Sequence, residues 1–125
     1  MNKLGKNILY IEDDPMLAEC LIDELSENNI HVTHCATLSE ALFKASMQKF
    51  DCIVTDMHLK TGTGKDFIYA IRSSYKHVNV ATPVIMVSAF FTEELVKLIG
   101  KEISFALVKP YQLHTLISKI FDLVA

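Results

Sequence analysis

The sequence predicts a doubly wound α/β domain built on a five-stranded parallel sheet with five helices. Strand-length apolar runs with little alternation, Asn7 to Ile11 (NILYI), Cys52 to Thr55 (CIVT) and Val84 to Val87 (VIMV), have the pattern of strands buried on both faces. Helical apolar spacing separates these runs, and right-handed crossovers between parallel strands put helices on both sides of the sheet. Four strands also end in acids, a hydroxyl or a lysine, at the end of the sheet where open α/β domains hold their ligands.

Taken in order, NILYI runs into Glu12, Asp13 and Asp14. Asp14-Pro15 has the grammar of a helix start, an acceptor for the open N–H groups of the first turn followed by a residue with no N–H to leave unpaired. Leu17, Leu21, Ile22 and Leu25 keep helical spacing until Asn28-Asn29 stops the pattern. Ile30 to Cys35 alternates as a second strand. Thr37-Leu38-Ser39-Glu40 then matches a capping box, with Thr37 as cap and Glu40 reaching back. Leu38, Ala41, Leu42 and Ala45 give this second helix a narrow apolar stripe, suited to close packing on a sheet.

After Phe50, the third strand stops at Asp56, and a glycine-bearing loop leads to a helix carrying Phe67, Ile68, Ile71 and Tyr75. Pro83 introduces the fourth strand, which ends at Ser88-Ala89. Glu93 to Ile99 reads as a short helix with acids in its first turn, favourable against the helix dipole. Phe105 to Val108 is the fifth strand and ends at Lys109-Pro110. Leu113, Leu116, Ile117, Ile120, Phe121 and Val124 form the cleanest amphipathic pattern in the chain.

A length of 125 residues suits one domain, residues 1–125, and with 50% hydrophobic and 22% charged residues it can fill a core without disulfides or metal. The formal charge of −3 and the scatter of Lys and Arg argue against direct nucleic-acid binding. Cys20, Cys35 and Cys52 form no C-x-x-C pair and read as small core residues in a reducing compartment. No apolar run is long enough to span a bilayer, and the opening MNKLGKNILYIEDD breaks at acids too early for a secretory leader, so a cytoplasmic, membrane-free protein is expected. With the sequence ending inside the last helix pattern, no output domain is expected in it.

In a sheet of this class Glu12, Asp13, Asp56, Ser88 and Lys109 converge on one edge. Three crowded carboxylates favour a cation among them. Mg2+ fits as a hard ion that takes oxygen ligands and keeps waters for a phosphate donor. A hydroxyl and an ammonium, Ser88 and Lys109, are what a phosphoryl group on Asp56 would need around its oxygens. Singly, each residue has a plainer reading as a cap, a solvated turn acid, a turn hydroxyl or a surface cation. The placement of all of them at strand ends sets the group apart.

With ILYIEDDP, IVTDMHL and Gly64 beyond it, IMVSA and LVKP in place, the chain resembles the receiver domain of two-component response regulators over nearly all of its length. The resemblance implies a flavodoxin-like fold of receiver type. It implies a signalling module, not an enzyme in its own right, with Asp56 as phospho-acceptor from a histidine kinase or histidine phosphotransfer protein. It further implies Mg2+ on Asp13, Asp56 and the backbone carbonyl of His58, with Glu12 reaching it through water. Asp14 falls outside that set and fits a helix cap. Ser88 and Lys109 would hold phosphoryl oxygens, the Lys109-Pro110 peptide would be cis, and a downstream protein would bind the face of the fourth helix, fifth strand and fifth helix.

The sequence departs from the family pattern at Ala106, where many receivers place an aromatic three residues before the lysine. Phe105 should face the opposite way, since strand side chains alternate. Phe90 and Phe91 are alternative responders to Ser88, although a plain role in loop packing is the expectation. Lys60 stands where a proline is common, and His58 reads as a solvated imidazole at the rim. Two other functions stay open. One is a receiver-shaped adaptor that works without phosphorylation. The other is an aspartate-nucleophile phosphatase of the haloacid dehalogenase type, disfavoured because His58 stands where such enzymes place a second Asp. Gly64-Lys65 is no P-loop, since Leu59 and Asp66 replace its glycine and hydroxyl residues, and His31 and His34 are weak as a metal pair.

Overall fold

The computed structural model describes residues 5–125. The expectation of no secretory leader draws partly on Met1 to Leu4, which lie outside the described residues. Five parallel strands, β1 (Lys6–Ile11), β2 (Ile30–Cys35), β3 (Cys52–Asp56), β4 (Val84–Ser88) and β5 (Phe105–Val108), lie in the order β2-β1-β3-β4-β5. Helices α1 (Pro15–Ser26), α2 (Leu38–Met47), α3 (Gly64–Arg72), α4 (Glu93–Leu98) and α5 (Leu113–Val124) fill the crossovers. Strand order reverses between β1 and β3, so the carboxyl ends of those two strands flank the crevice where such sheets hold ligands. A two-residue antiparallel ribbon, His58–Leu59 with Gly62–Thr63, folds over that end and has no counterpart in the sequence reading.

Alternation sorts the strand side chains into two cores. Leu9, Ile11, Ile53 and Met86 pack with Ala41, Phe67 and Leu95 of α2, α3 and α4. Ile8, Tyr10, Val54 and Ile85 pack with Leu21 of α1 and Leu116 and Ile120 of α5. Caps behave nearly as predicted. Asp14 accepts from the N–H groups of Met16 at 3.0 Å and Leu17 at 3.4 Å. Thr37 accepts from Glu40 N–H at 3.2 Å, but Glu40 reaches one residue further back and accepts from Ala36 N–H at 3.2 Å.

Three expectations are corrected. Tyr75 is not on the third helix: α3 ends at Arg72 and Tyr75 is exposed. The Arg72 guanidinium donates to the carbonyls of Asn79, Val80, Thr82 and Glu102 at 2.9, 2.8, 2.7 and 2.9 Å, which draws the following segment across the foot of the sheet. Cys20 is exposed, unlike the buried Cys35 and Cys52, because it falls beside the Ala18, Leu21, Leu25 stripe of α1. Phe90 and Phe91 do not pack in the loop but stand 68% and 67% exposed.

Asn79 completes the foot. Fully buried, it accepts from Phe50 N–H and the Thr82 hydroxyl, both at 2.8 Å, and donates to the carbonyls of Ala45 at 2.6 Å and Gln48 at 2.8 Å. All four of its hydrogen-bonding positions are used, as a buried amide requires.

Candidate functional site

The site grows from the end of β3. Met57 N–H continues the ladder to Val87 C=O at 2.7 Å, and Gly64 N–H returns to Met57 C=O at 2.8 Å, which presses the start of α3 against the backbone of Asp56. The approach is close enough that a Cβ on residue 64 would stand 2.4 Å from the Asp56 carbonyl oxygen. Only glycine fits there without moving the strand end.

The Asp56 side chain is 5% exposed, and both of its oxygens are engaged. Lys109 Nζ donates to Oδ2 at 2.6 Å, and His58 N–H donates to Oδ1 at 3.1 Å. Burial pulls the Lys109 ammonium down, but its hydrogen bond to Asp56 and the charges of Asp56, Glu12 and Tyr111 outweigh that, leaving its pKa above the ordinary lysine value. Asp13 Oδ2 accepts from Lys60 N–H at 2.8 Å, tying the first acidic turn to the ribbon.

Glu12 is almost fully buried and accepts from Asp14 N–H at 3.0 Å. Burial raises its pKa, and the charges of Asp56 and Asp13 add to that against the opposing pull of the Asp14 N–H and Lys109. His34 Nε2 lies 2.6 Å from the Glu12 carbonyl oxygen, so this nitrogen is the protonated one, as a carbonyl can only accept. Ser88, one residue beyond the Val87 partner of Asp56, is buried but turned to its own loop. Its hydroxyl donates to Phe90 C=O at 2.9 Å and accepts from Phe90 N–H at 3.3 Å.

The expected residues therefore share the carboxyl edge, with Asp56 and Lys109 in direct contact, Asp13 held beside them by the ribbon, and Ser88 adjacent but otherwise bonded. The His58 side chain is exposed, and the Lys109-Pro110 peptide is cis. Among the described residues no three His, Cys, Asp or Glu side chains converge at ligand spacing. The carboxylates that share this edge are Asp13 and Asp56, with Glu12 buried behind them. Such an all-oxygen set fits a hard divalent ion that keeps several waters.

Ala106 and Phe105 face opposite cores, as alternation requires: Ala106 packs towards α2 and α4, Phe105 towards α1 and α5. Lys119 Nζ sits 4.5 Å over the Phe105 ring, further fixing it on that side.

Sequence reasoning missed three features of the site. His34 was weighed only as a metal ligand, and Lys60 only as a side chain, although its N–H is what matters. Tyr10 was counted as one more apolar strand residue. It is 2% exposed, and its hydroxyl is the buried side-chain polar atom without a hydrogen-bond partner among the described residues. Burial raises its pKa far above the usual phenol value, with Tyr111 and the charge of Glu12 adding to the effect. The available signal was the strand itself, because a hydroxyl midway along a two-sided buried strand cannot reach water.

A family model for the response regulator receiver domain matches residues 8–121. The KDP operon transcriptional regulatory protein KdpE of Escherichia coli is 32% identical over 83 residues, 66% of this chain and 35% of that protein. Across the curated relatives the chain spans 35%, 12%, 51% and 27% of their lengths, so it corresponds to one part of each. Among solved structures, the receiver domain of the Francisella response regulator 1452 superposes with a TM-score of 0.84 at 27% identity, covering 95% of this chain and 96% of that one. Vibrio cholerae chemotaxis protein CheY4 does so with a TM-score of 0.81 at 26% identity, covering 94% and 98%. Sequence motifs, sheet order and the family match over residues 8–121 agree, and the chain belongs to the response regulator receiver domain family.

Proposed function

We propose that this domain takes a phosphoryl group on Asp56 from the phosphohistidine of a histidine kinase or histidine phosphotransfer protein, in a Mg2+-dependent step, and that the adduct shifts a partner-binding surface. The observation that carries the reading is the Asp56 carboxylate, buried at a strand end with Lys109 on one oxygen at 2.6 Å and the His58 N–H on the other at 3.1 Å.

In the transfer, an Asp56 oxygen bonds to phosphorus as the bond from phosphorus to the histidine nitrogen breaks. The electron pair leaves with the imidazole, which is then protonated from solvent. Lys109 trades its contact with Asp56 for a phosphoryl oxygen, so its charge follows the negative charge outward. Ser88 can donate to another phosphoryl oxygen once its hydroxyl lets go of Phe90. Asp13, Asp56 and the His58 carbonyl, with Glu12 through water, are the donors that would hold Mg2+, which when bound supplies positive charge beside the phosphoryl oxygens. The downstream partner is an unassigned protein at the α4, β5, α5 face, a placement supported by the exposed Phe90, Phe91 and Val96 on its border.

Ala106 favours a second reading, a receiver-shaped adaptor that works without phosphorylation, because the ring that reports on the Ser88 hydroxyl in many receivers is missing. One experiment separates the two. Wild type and Asp56→Asn are incubated with Mg2+ and acetyl phosphate, and the phosphoryl adduct is read by intact mass. An adduct in wild type that is lost in Asp56→Asn is expected; no Asp56-dependent adduct would favour the adaptor. Continuous turnover of small phosphate esters would instead revive the phosphatase.

A further inference from the structure

The face of the sheet that carries Asp56 and Lys109 also carries a feature with no role in the chemistry above. By alternation Ser88 and Ala106 belong to the α2–α4 side, while Asp56 and Lys109 share the parity of Val54 and Leu107 on the α1–α5 side. Tyr10 lies on that second side, paired in register with Val54 of β3, two residues before Asp56. Its hydroxyl is shut off from water and has no partner within hydrogen-bond distance among the described residues, although Tyr111 already stands close enough to raise its pKa. Buried polar atoms without partners are rare in folded proteins, and each calls for an explanation.

Tyr111 is the polar neighbour that supplies one. It is half-buried, packs against the same core as Tyr10, and is separated from Lys109 by a single residue. It also forms one wall of an open groove of about 650 Å³ between α1 and the start of α5, with Leu17, Cys20, Pro110 and Leu113. Lys109 and Tyr111 share the short segment between β5 and α5.

We propose that Tyr10 and Tyr111 form the conformational relay of this domain: the two phenols hydrogen-bond when Lys109 is drawn from Asp56 to a phosphoryl oxygen, and their pairing reshapes the groove between α1 and α5. The inference rests on phosphoryl acceptance at Asp56. In the paired state the Tyr10 O–H donates to the Tyr111 oxygen, and Tyr111 keeps its own O–H for water. The relay works on the face opposite Ala106, where no ring stands three residues before the lysine. It meets the thermodynamic condition for a switch, because the paired and unpaired states then differ in their affinity for the phosphoryl group.

The test uses Mg2+ with beryllofluoride, a mimic of the phosphoryl group, on wild type, Tyr10→Phe, Tyr111→Phe and the double variant. Beryllofluoride affinity is titrated, and the ring signals of the four tyrosines are followed by NMR after selective 13C labelling. Each single variant should bind the mimic roughly fivefold more weakly, the scale of one hydrogen bond, and the double variant no more weakly than either single. Tyr10 and Tyr111 signals should shift together in wild type, and Tyr111 should lose its shift in Tyr10→Phe. Unliganded Tyr10→Phe should unfold at or above the wild-type temperature, since it removes an unpaired donor. Wild-type affinity in Tyr10→Phe, or additive losses in the double variant, would overturn the relay while leaving phosphoryl acceptance standing. A wild type that takes up no mimic in an Asp56-dependent way would overturn both.

Discussion

Replacing Gly64 by alanine tests how tightly the end of β3 and the start of α3 are packed. The added Cβ would lie 2.4 Å from the Asp56 carbonyl oxygen and 3.2 Å from both Asp56 C and Met57 Cα, all backbone atoms that cannot rotate away. Relief requires the strand end or the helix start to move. Both are tethered, the strand by Met57 N–H on Val87 C=O at 2.7 Å and the helix by Gly64 N–H on Met57 C=O at 2.8 Å. Overpacking of this kind costs about 1–3 kcal/mol, and alanine's better helix propensity returns less than about 1 kcal/mol at a first helical position. A net loss of about 2 kcal/mol is expected. With an unfolding entropy of about 2.1 cal/mol/K per residue, the 125-residue chain should melt about 8 °C lower. Thermal unfolding followed by circular dichroism measures the shift, and beryllofluoride titration should show weaker binding because the Asp56 backbone is displaced. A melting temperature within about 1 °C of wild type, with unchanged mimic binding, would refute the packing argument.

Other outcomes follow from the same contacts. Asn79→Ala strips four buried partners of their hydrogen bonds and should cost about 3 kcal/mol in urea unfolding, with beryllofluoride affinity in the folded fraction unchanged because the foot lies far from the site. In Lys109→Gln the Asp56 carboxylate loses its cation, so acetyl phosphate labelling should fall at least tenfold while the fold persists, read by intact mass and circular dichroism. Burial pushes the thiol of Cys35 up to about 11 and that of Cys52 up to about 12, whereas Cys20 is exposed, so a disulfide reagent at neutral pH should titrate one thiol quickly and all three after denaturation. Both raised thiols sit above the unfolded value of 9.0, so their contribution to stability is complete below that pH and is lost as pH climbs through about 11 and 12. A Cys52→Val variant should show a shallower alkaline loss in pH-dependent melting.

What the sequence disclosed and what it hid divide along physical lines. The strands were legible because two-sided burial leaves little choice but Val, Ile and Leu, and the helix starts because Asp14 and Thr37 cap by purely local chemistry. Asp56, Ser88 and Lys109 were legible because they stand at strand ends, where periodicity stops and a polar residue has to be accounted for. The ribbon over the site was not, since two-residue strands have no period to detect. Tyr75 was misplaced because helical spacing continues through it; the long-range pull of Arg72 on the carbonyls of Asn79, Val80, Thr82 and Glu102 decides where α3 stops. The partners of Glu12 were hidden for the opposite reason: His34 meets a backbone carbonyl, and backbone groups carry no sequence signature.

The Arg72 and Asn79 network has a consequence for how such a domain can diversify. It anchors the segments that lead into β3, β4 and β5 chiefly through side-chain bonds to backbone, and backbone partners do not vary with sequence. At the opposite end, exposed side chains such as Phe90 and Phe91 can be exchanged without renegotiating strand register. Changes along that rim leave the order of the strands, fixed at the other end, untouched.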